Sequence, residues 1–397
     1  MGLGVTRVAE VLWVALRLGL TSFGGPIAHL GHFERVYVRE RRWLTGEQFT
    51  GLVALTQLLP GPSSSQAGLL IGWHRAGAWG AVAAWIGFTL PSALLMYACA
   101  VTAVDLRGPL GAAVLQGLKL VAVAVIAQAV WLMARRACAT LPSGLIAATA
   151  TLLALWLAGS AAQLLLIALG AAAGAALCRH PRVPIIADLI NVPAGLGWSA
   201  VTLFAALLVG LPTVAALSAD DYLGLADAFY RSGALVFGGG HVVLPLLHDA
   251  LVPAGWIADA EFLTGYGLAQ AMPGPLFSVA AYLGAASPQV AEPALGATIG
   301  LVALFLPGML LAVAGATLWR WLLQHPGADA ALTGVNAAVV GLLASALYDP
   351  VWVTAVHSPL DVAIALVGIA MLQRWSISPI VVVAWCVGAS VVRWLLS

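Results

Sequence analysis

Gln57-Leu58-Leu59-Pro60-Gly61-Pro62 stands in the middle of one apolar stretch, and Gln270-Ala271-Met272-Pro273-Gly274-Pro275 stands in the middle of another. Each proline removes a backbone donor and clashes with the preceding turn, so a Pro-Gly-Pro triplet cannot continue a helix. In a membrane the freed backbone groups are tolerated where the break is buried in protein or lines a wet cavity. The half-helices that begin after the triplets, at Ser63 and Leu276, present free N–H groups and a positive dipole end, where anions bind. Ser63-Ser64-Ser65 adds three hydroxyls to one of these ends, and Ser278 adds one to the other. A plain proline kink is the bland alternative. Duplication of the triplet, with Gln57 or Gln270 three residues ahead of each copy, favours a functional break.

The rest of the chain is as apolar as these stretches. Of 397 residues, 62% are hydrophobic and 8% are charged, with a mean hydropathy of +0.99. Soluble globular chains carry about a quarter charged residues. Many runs of about 18 residues or more have no charge on any face, which is the signature of transmembrane helices. The formal net charge of +1 and the lack of a basic, aromatic-interleaved patch argue against nucleic acid. Cys99, Cys138, Cys178 and Cys386 are widely spaced and read as packing residues; no metal or cofactor is expected. Glu10 and Arg17 interrupt the first apolar run, which therefore does not read as a cleaved signal.

Apolar runs and their breakers predict an all-α polytopic membrane protein of about 10–13 transmembrane or re-entrant helices. Spans are expected near 8–28, 49–72, 78–103, 111–134, 142–158 and 161–178, with an amphipathic stretch over 29–48. A lone span near 199–217 follows, and then spans near 227–250, 262–285, 293–318, 329–347, 359–373 and 378–396. The halves repeat in sequence. Phe23-Gly24-Gly25-Pro26 matches Phe237-Gly238-Gly239-Gly240, Trp43-Leu44 matches Trp256-Ile257, and Phe88-Thr89-Leu90-Pro91 matches Leu304-Phe305-Leu306-Pro307. With the Pro-Gly-Pro pair these matches keep one order and an offset of 213 to 216 residues. The expected organisation is a repeat over 1–182, a linker with one helix over 183–218, and a second repeat over 219–397. Six crossings per half would make the linker helix invert the second repeat, the plan of many secondary transporters. Five would leave the halves parallel, and the arginine distribution does not settle the orientation.

Around the breaks stand a few further candidates. Phe23, Gly24, Gly25 and Pro26, and in the second half Gly238, Gly239, Gly240 and His241, form either a second pair of cavity-lining breaks or tight packing sites. Ionisable residues inside apolar runs are costly and default to functional candidates. Arg17 and Arg231 each stand six residues before the Phe-Gly-Gly element; Glu10 is placed to share a helix face with Arg17; Lys119 is matched by Asn336. Snorkelling to the interface is the alternative for the cations. Asp349 and Asp361 read as ordinary charges at span ends. Because cations and positive helix ends outnumber deep acidic groups, the expected ligand is an anion, not a metal cation.

The duplicated Phe-Gly-Gly-Pro/Gly element, Trp-Leu stretch and Gln-x-x-Pro-Gly-Pro element together resemble the chromate ion transporter family, in its long two-domain form. The resemblance covers essentially the whole chain. It implies a multi-pass protein of a bacterial or archaeal inner membrane that exports chromate and gives chromate resistance. Onto this sequence it carries Phe23, Gly24, Gly25, Pro26, Gln57, Pro60, Gly61 and Pro62, with Phe237, Gly238, Gly239, Gly240, His241, Gln270, Pro273, Gly274 and Pro275. Gly240 in place of Pro26 is a departure between the repeats. The anion is expected between the two breaks, with Ser63, Ser64, Lys119, Asn336 and the Arg17/Arg231 pair. Expected partners are chromate, sulfate as its competitor, the lipid bilayer and a second copy of the chain in a homodimer. No P-loop is present, so an ion gradient or the membrane potential is the expected driving force. The competing readings are exchange or uptake of sulfate or another small anion, a scaffold or receptor, and an intramembrane hydrolase using Ser63 with His29 or His241. No G-x-S-x-G or H-E-x-x-H element supports the hydrolase.

Overall fold

Helix ends fall where caps, prolines and glycines put them. Thr45 and Thr140 each accept from the backbone N–H three residues on while that residue's side chain returns the bond, a capping box at the start of two helices. Pro109 and Pro359 occupy first-turn positions, where their missing N–H costs nothing. The computed structural model describes residues 2–23, 25–102, 108–157, 160–178, 192–218, 220–236, 243–324, 327–374 and 377–396. These form helices and no strand. The first half comprises α1 (Gly2–Thr21), α2 (Gly25–Phe33), which runs on as a π-helix over Glu34–Glu40, and α3 (Gly46–Leu58). After the first break come α4 (Ser63–Thr102), α5 (Pro109–Ala137), α6 (Leu141–Trp156) and α7 (Ser160–Leu177), and then the lone α8 (Ala194–Ser218). The second half comprises α9 (Asp221–Ala234), α10 (Val243–Leu251) and α11 (Asp259–Ala271), and after the second break a 3-10 turn, Leu276–Ser278, leads into α12 (Val279–Ala286). It closes with α13 (Pro293–Gln324), α14 (Ala328–Ala346), a π segment over Leu347–Trp352, the short α15 (Val353–Ala355), α16 (Pro359–Gln373) and α17 (Pro379–Leu396).

Six of these stretches are long and apolar enough to cross a membrane: Ser63–Thr102, Pro109–Arg135, Ala194–Ser218, Pro293–Thr317, Ala330–Ala355 and Pro379–Leu396. The chain is an all-α polytopic membrane protein. Two expected boundaries shift. The span expected near 8–28 is interrupted, because α1 stops at Thr21 and α2 starts at Gly25. The break expected between 72 and 78 is instead a kink within α4, at Ala76 and Gly77, whose φ of +66° suits a residue without a Cβ.

The two halves are homologous, and they pack on each other reciprocally. In each half the first helix lies on the long helix after the break, α1 on α4 and α9 on α13. Glycines let these backbones meet. A Cβ on Gly19 would lie 2.6 Å from the Phe88 carbonyl oxygen, and one on the equivalent Gly233 would overlap that of Leu304. The last two helices of each half then cross over to the partner half: α6 and α7 pack on α14, and α16 and α17 pack on α5. Here too the contacts correspond. Gly334 of α14 meets Gly170 and Gly174 of α7, and Gly117 of α5 meets Val387 of α17. Gly170-x-x-x-Gly174 is a small-residue motif of the kind that lets membrane helices approach closely. Element i of one half touching element j of the other, and the converse, is a pseudo-two-fold relation. Large apolar side chains such as Trp79, Trp156, Val209 and Leu217 are exposed on the outside of this bundle, as a lipid-facing surface requires. The lone α8 lies at that periphery against α9 and α13, where Tyr230 Oη donates to the Phe204 carbonyl at 3.1 Å.

This packing leaves no space at Gly334, where an added Cβ overlaps the Gly170 carbonyl oxygen. Gly334→Leu should cost about 1–3 kcal/mol or more by overpacking, read as a lower unfolding midpoint of the detergent-purified protein. Gly144→Ala on α6, with nothing within 4 Å of the new methyl, should leave the midpoint unchanged or slightly raised.

Candidate functional site

The two Pro-Gly-Pro breaks solve their backbone problem by using each other's repeat. Leu59 and Met272 leave α3 and α11 in extended conformation (ψ 146° and 144°), and Gly61 and Gly274 then turn with φ of +120° and +90°. Only glycine adopts such values without strain. The Gly61 N–H donates to the Val236 carbonyl at 2.6 Å, and the Gly274 N–H donates to the Ser22 carbonyl at 2.8 Å. Ser22 and Val236 are equivalent positions, each directly ahead of a Phe-Gly-Gly element. Space is reciprocal as well. A Cβ on Gly61 would lie 2.7 Å from Gly308 Cα, and one on Gly274 would lie 2.8 Å from Ser92 Oγ. Gly308 and Ser92 each follow the proline inside the partner's long helix, Pro307 and Pro91. Each triplet is therefore seated against the proline turn of the opposite repeat. On one side Gln66 locks the seat: its Nε2 donates to the Pro60 carbonyl at 2.7 Å and to the Gly308 carbonyl at 2.8 Å.

The start of α4 is polar and buried. The first α-helical bond runs from the Gln66 N–H to the Pro62 carbonyl at 2.9 Å, so the N–H groups of Ser63, Ser64 and Ser65 have no partner within the helix. All three serine side chains are buried. Ser64 Oγ lies 3.3 Å from His29 Nδ1, and the His29 ring stands edge-on to Phe88, with centroids 5.4 Å apart. Ser22 Oγ, His29 Nε2, Ser65 Oγ, Gln66 Oε1 and Thr89 Oγ1 are buried with no hydrogen-bond partner. Native interiors leave few such groups, and each costs about 1–3 kcal/mol. The second break is drier. Leu276 and Phe277 stand where the first has Ser63 and Ser64, and Ser278 Oγ donates to the Pro275 carbonyl at 2.5 Å.

The residues singled out from sequence fall into three groups. Pro60, Gly61, Pro62, Ser63 and Ser64 and, in the second repeat, Pro273, Gly274, Pro275 and the buried Gln270 come together at the breaks. Phe23 is half-buried beside Ser22, and Gly25 opens α2 with Pro26 as its second residue, whereas Gln57 is exposed. Gly24, Phe237, Gly238, Gly239, Gly240 and His241 lie outside the described residues. The third group is the ionisable one. Arg17 is exposed on α1, while Arg231 is half-buried in a two-pronged pair with Asp227, Nε to Oδ1 at 2.8 Å and Nη2 to Oδ2 at 2.5 Å. The two equivalent arginines thus have unlike surroundings and do not form the expected matched pair. Lys119 and Asn336 are half-buried on α5 and α14 and make none of the hydrogen bonds at the breaks.

Three expectations are corrected by packing. Glu10 does not serve Arg17; it pairs with Arg75 at 2.9 Å and Arg41 at 3.3 Å, beside the kink of α4. Asp361 is no ordinary interfacial charge. It is 1% exposed and binds Arg393 at 2.7 Å, the Ser358 hydroxyl and the His357 N–H. The excess of deep cations also shrinks, since Arg231 is paired with Asp227, and the case for an anion passes to the helix end and its hydroxyls. The hydrolase reading put His29 with Ser63, but His29 meets Ser64, and no carboxylate holds its second nitrogen as a nucleophile–base pair needs. His29, Ser22, Gln66 and Thr89 are further candidates for the anion site that the sequence motifs do not single out. The polar Ser63–Gln66 run was the visible signal for Gln66; for the others, sequence alone carries no sign that they converge.

A family model described as "Chromate transporter" matches residues 9–175 and 223–391. The chain is 29% identical over 387 residues to a chromate transport protein of Pseudomonas aeruginosa, with 96% of this chain and 90% of that one covered. It is 28% identical to a probable chromate transport protein of Synechococcus elongatus, with 96% and 94% covered. It is 27% identical to a chromate transport protein of Cupriavidus metallidurans, with 92% and 88% covered. No solved structure matches the chain significantly.

The glycines of the two breaks have no tolerated replacement. Gly61→Ala and Gly274→Ala should each cost about 1–3 kcal/mol for the positive φ alone, with the overlap added. Monodisperse protein surviving a heat step on size exclusion should fall for both variants. Survival of either at the wild-type temperature would contradict this geometry.

Proposed function

This chain belongs to the chromate transporter family, and we propose on that footing that it exports chromate from the cytoplasm across the inner membrane, giving chromate resistance. The relatives named for chromate transport and the anion-suited start of α4 support the substrate. The observation that carries the mechanism is the exchange of hydrogen bonds between the breaks, Gly61 to Val236 and Gly274 to Ser22. Both discontinuities lie where the repeats meet, the place where such transporters bind substrate. A dianion there is served by N–H and hydroxyl donors, which need not lose a proton to bind it. Repeats related by an axis in the membrane plane would let one half's opening movement become the other's closing movement. With no P-loop in the sequence, an ion gradient or the membrane potential drives the cycle.

Everted vesicles from cells expressing the chain should accumulate labelled chromate when energised and lose it on uncoupling. Pro60→Ala and Pro273→Ala, still inserted, should cut the rate by about tenfold or more, since a continuous helix removes the anion-facing end. Wild-type rates in both variants would sink the proposal, and a sulfate flux indifferent to chromate would overturn the substrate. The inverted arrangement has its own check. In a background without native cysteines, Ala139→Cys and His357→Cys occupy equivalent turns and should react with an impermeant maleimide from opposite sides; labelling from one side would mean parallel repeats.

A further inference from the structure

We infer that the chain holds one oxyanion, not two, and that its ligands come from the first repeat: His29 Nε2–H, the hydroxyls of Ser22, Ser65 and Thr89, and the free N–H groups opening α4. This rests on the oxyanion-transport reading and specifies its site. The basis is a position-by-position comparison of the two repeats. Ser22, His29, Ser64 and Thr89 correspond to Val236, Val243, Phe277 and Phe305, at the offsets of 213 to 216 residues that relate the halves. The fifth position, Ser65, corresponds to Ser278. In the second repeat all four counterparts are apolar and at most 1% exposed. Phe277 and Phe305 touch, with ring centroids 5.4 Å apart, and Ser278 spends its hydroxyl on the Pro275 carbonyl. Those four positions are packed core, and the unpaired donor beside the second break is Gln270 Nε2.

In the first repeat the same positions carry polar side chains: Ser64 meets His29 Nδ1, and part of the remaining hydrogen-bonding capacity is unused. Ser22, His29, Ser65 and Thr89 are 0%, 1%, 4% and 1% exposed, and one polar atom of each lacks a partner. His29 is 3.3 Å from Ser64, and its ring meets Phe88, the residue before Thr89. The Ser22 backbone joins the same group through its bond to Gly274, whose Cα side faces Ser92 and Phe88. Unpaired donors beside a helix N-terminus, with no carboxylate among them and Gln66 Oε1 as an unpaired acceptor nearby, suit a ligand rich in acceptors. A tetrahedral oxyanion, chromate or sulfate, presents acceptors in every direction. An apolar or cationic ligand would leave the donors unsatisfied.

Equilibrium binding of labelled chromate and of labelled sulfate to the detergent-purified chain tests this. The expected stoichiometry is one anion per chain, with each anion displacing the other. Ser65→Ala and the near-isosteric Thr89→Val should each weaken binding by about tenfold or more, as loss of a hydrogen bond to a charged group does. His29→Gln, which keeps a donor, should bind better than His29→Ala. Thr298→Val, on the exposed side of α13, should bind as wild type does. Monodispersity on size exclusion keeps folding separate from binding. Two anions per chain, or wild-type affinity in Ser65→Ala and Thr89→Val together, would overturn the one-sided site while leaving transport intact. Wild-type protein that neither binds nor moves either anion would overturn both readings.

Discussion

A backbone N–H left bare inside a membrane costs several kcal/mol, and the rest of this structure is arranged around two of them. Gly61 and Gly274 open their N–H groups by turning where a helix cannot continue, and neither is satisfied within its own repeat. Each reaches the carbonyl that ends the first helix of the other half. The consequence is mutual dependence. The first repeat's break is closed only when α9 is in place, and the second's only when α1 is. The crossing of α6 and α7 onto α14, and of α16 and α17 onto α5, extends the same dependence outward. The small residues at Gly117, Gly170 and Gly334 allow it, because backbones that meet this closely have no room for a Cβ.

That interlock also explains why discontinuities persist at membrane depth without collapsing. The triplets are seated against the turns after Pro91 and Pro307, where each long helix already has a proline in its interior. A proline inside a helix removes one bond of the ladder and tilts its neighbours. Two prolines on the long helices therefore make the notches into which two Pro-Gly-Pro turns fit, and the interface between repeats is made of complementary irregularities. Movement of one half against the other would have to act on these same few contacts, which lie between the half-helices and not at the lipid surface.

Sequence displayed the breaks and the duplication, because Pro-Gly-Pro and a constant offset are local patterns. It displayed the membrane class through uncharged runs of spanning length. It did not display partners. Glu10 reaches Arg75 across 65 residues, and no periodicity on α1 announces that; Arg17, two turns on along the same helix, is exposed. Asp227 stands one turn before Arg231 at the i, i+4 spacing of an ion pair, a local signal that could have named its partner. Gly77 marked an interruption correctly but not its kind, since a single left-handed residue bends a helix path that hydrophobicity alone reads as two spans. His29 and Ser64 lie on different helices, and only folding against the break makes them neighbours.

Symmetry and asymmetry divide the labour. The main contacts that hold the backbone together have counterparts across the pseudo-two-fold: the two cross-repeat hydrogen bonds, the two glycine seats and the two helix crossings. The contacts that would hold a ligand have none. At Ser22, His29 and Thr89 the first repeat buries polar side chains where the second buries Val236, Val243 and Phe305. Duplication supplied two equal scaffolds, and the apolar copy supplies a rigid counterpart against which the polar copy is positioned. A dianion between two equally polar breaks would face donors on both sides and leave slowly in either direction. A more polar and a more apolar wall would leave an anion bound to a single half. Movement of that half relative to the other would then carry the whole site, with its donors kept in register by the Gln66 bridge to Pro60 and Gly308.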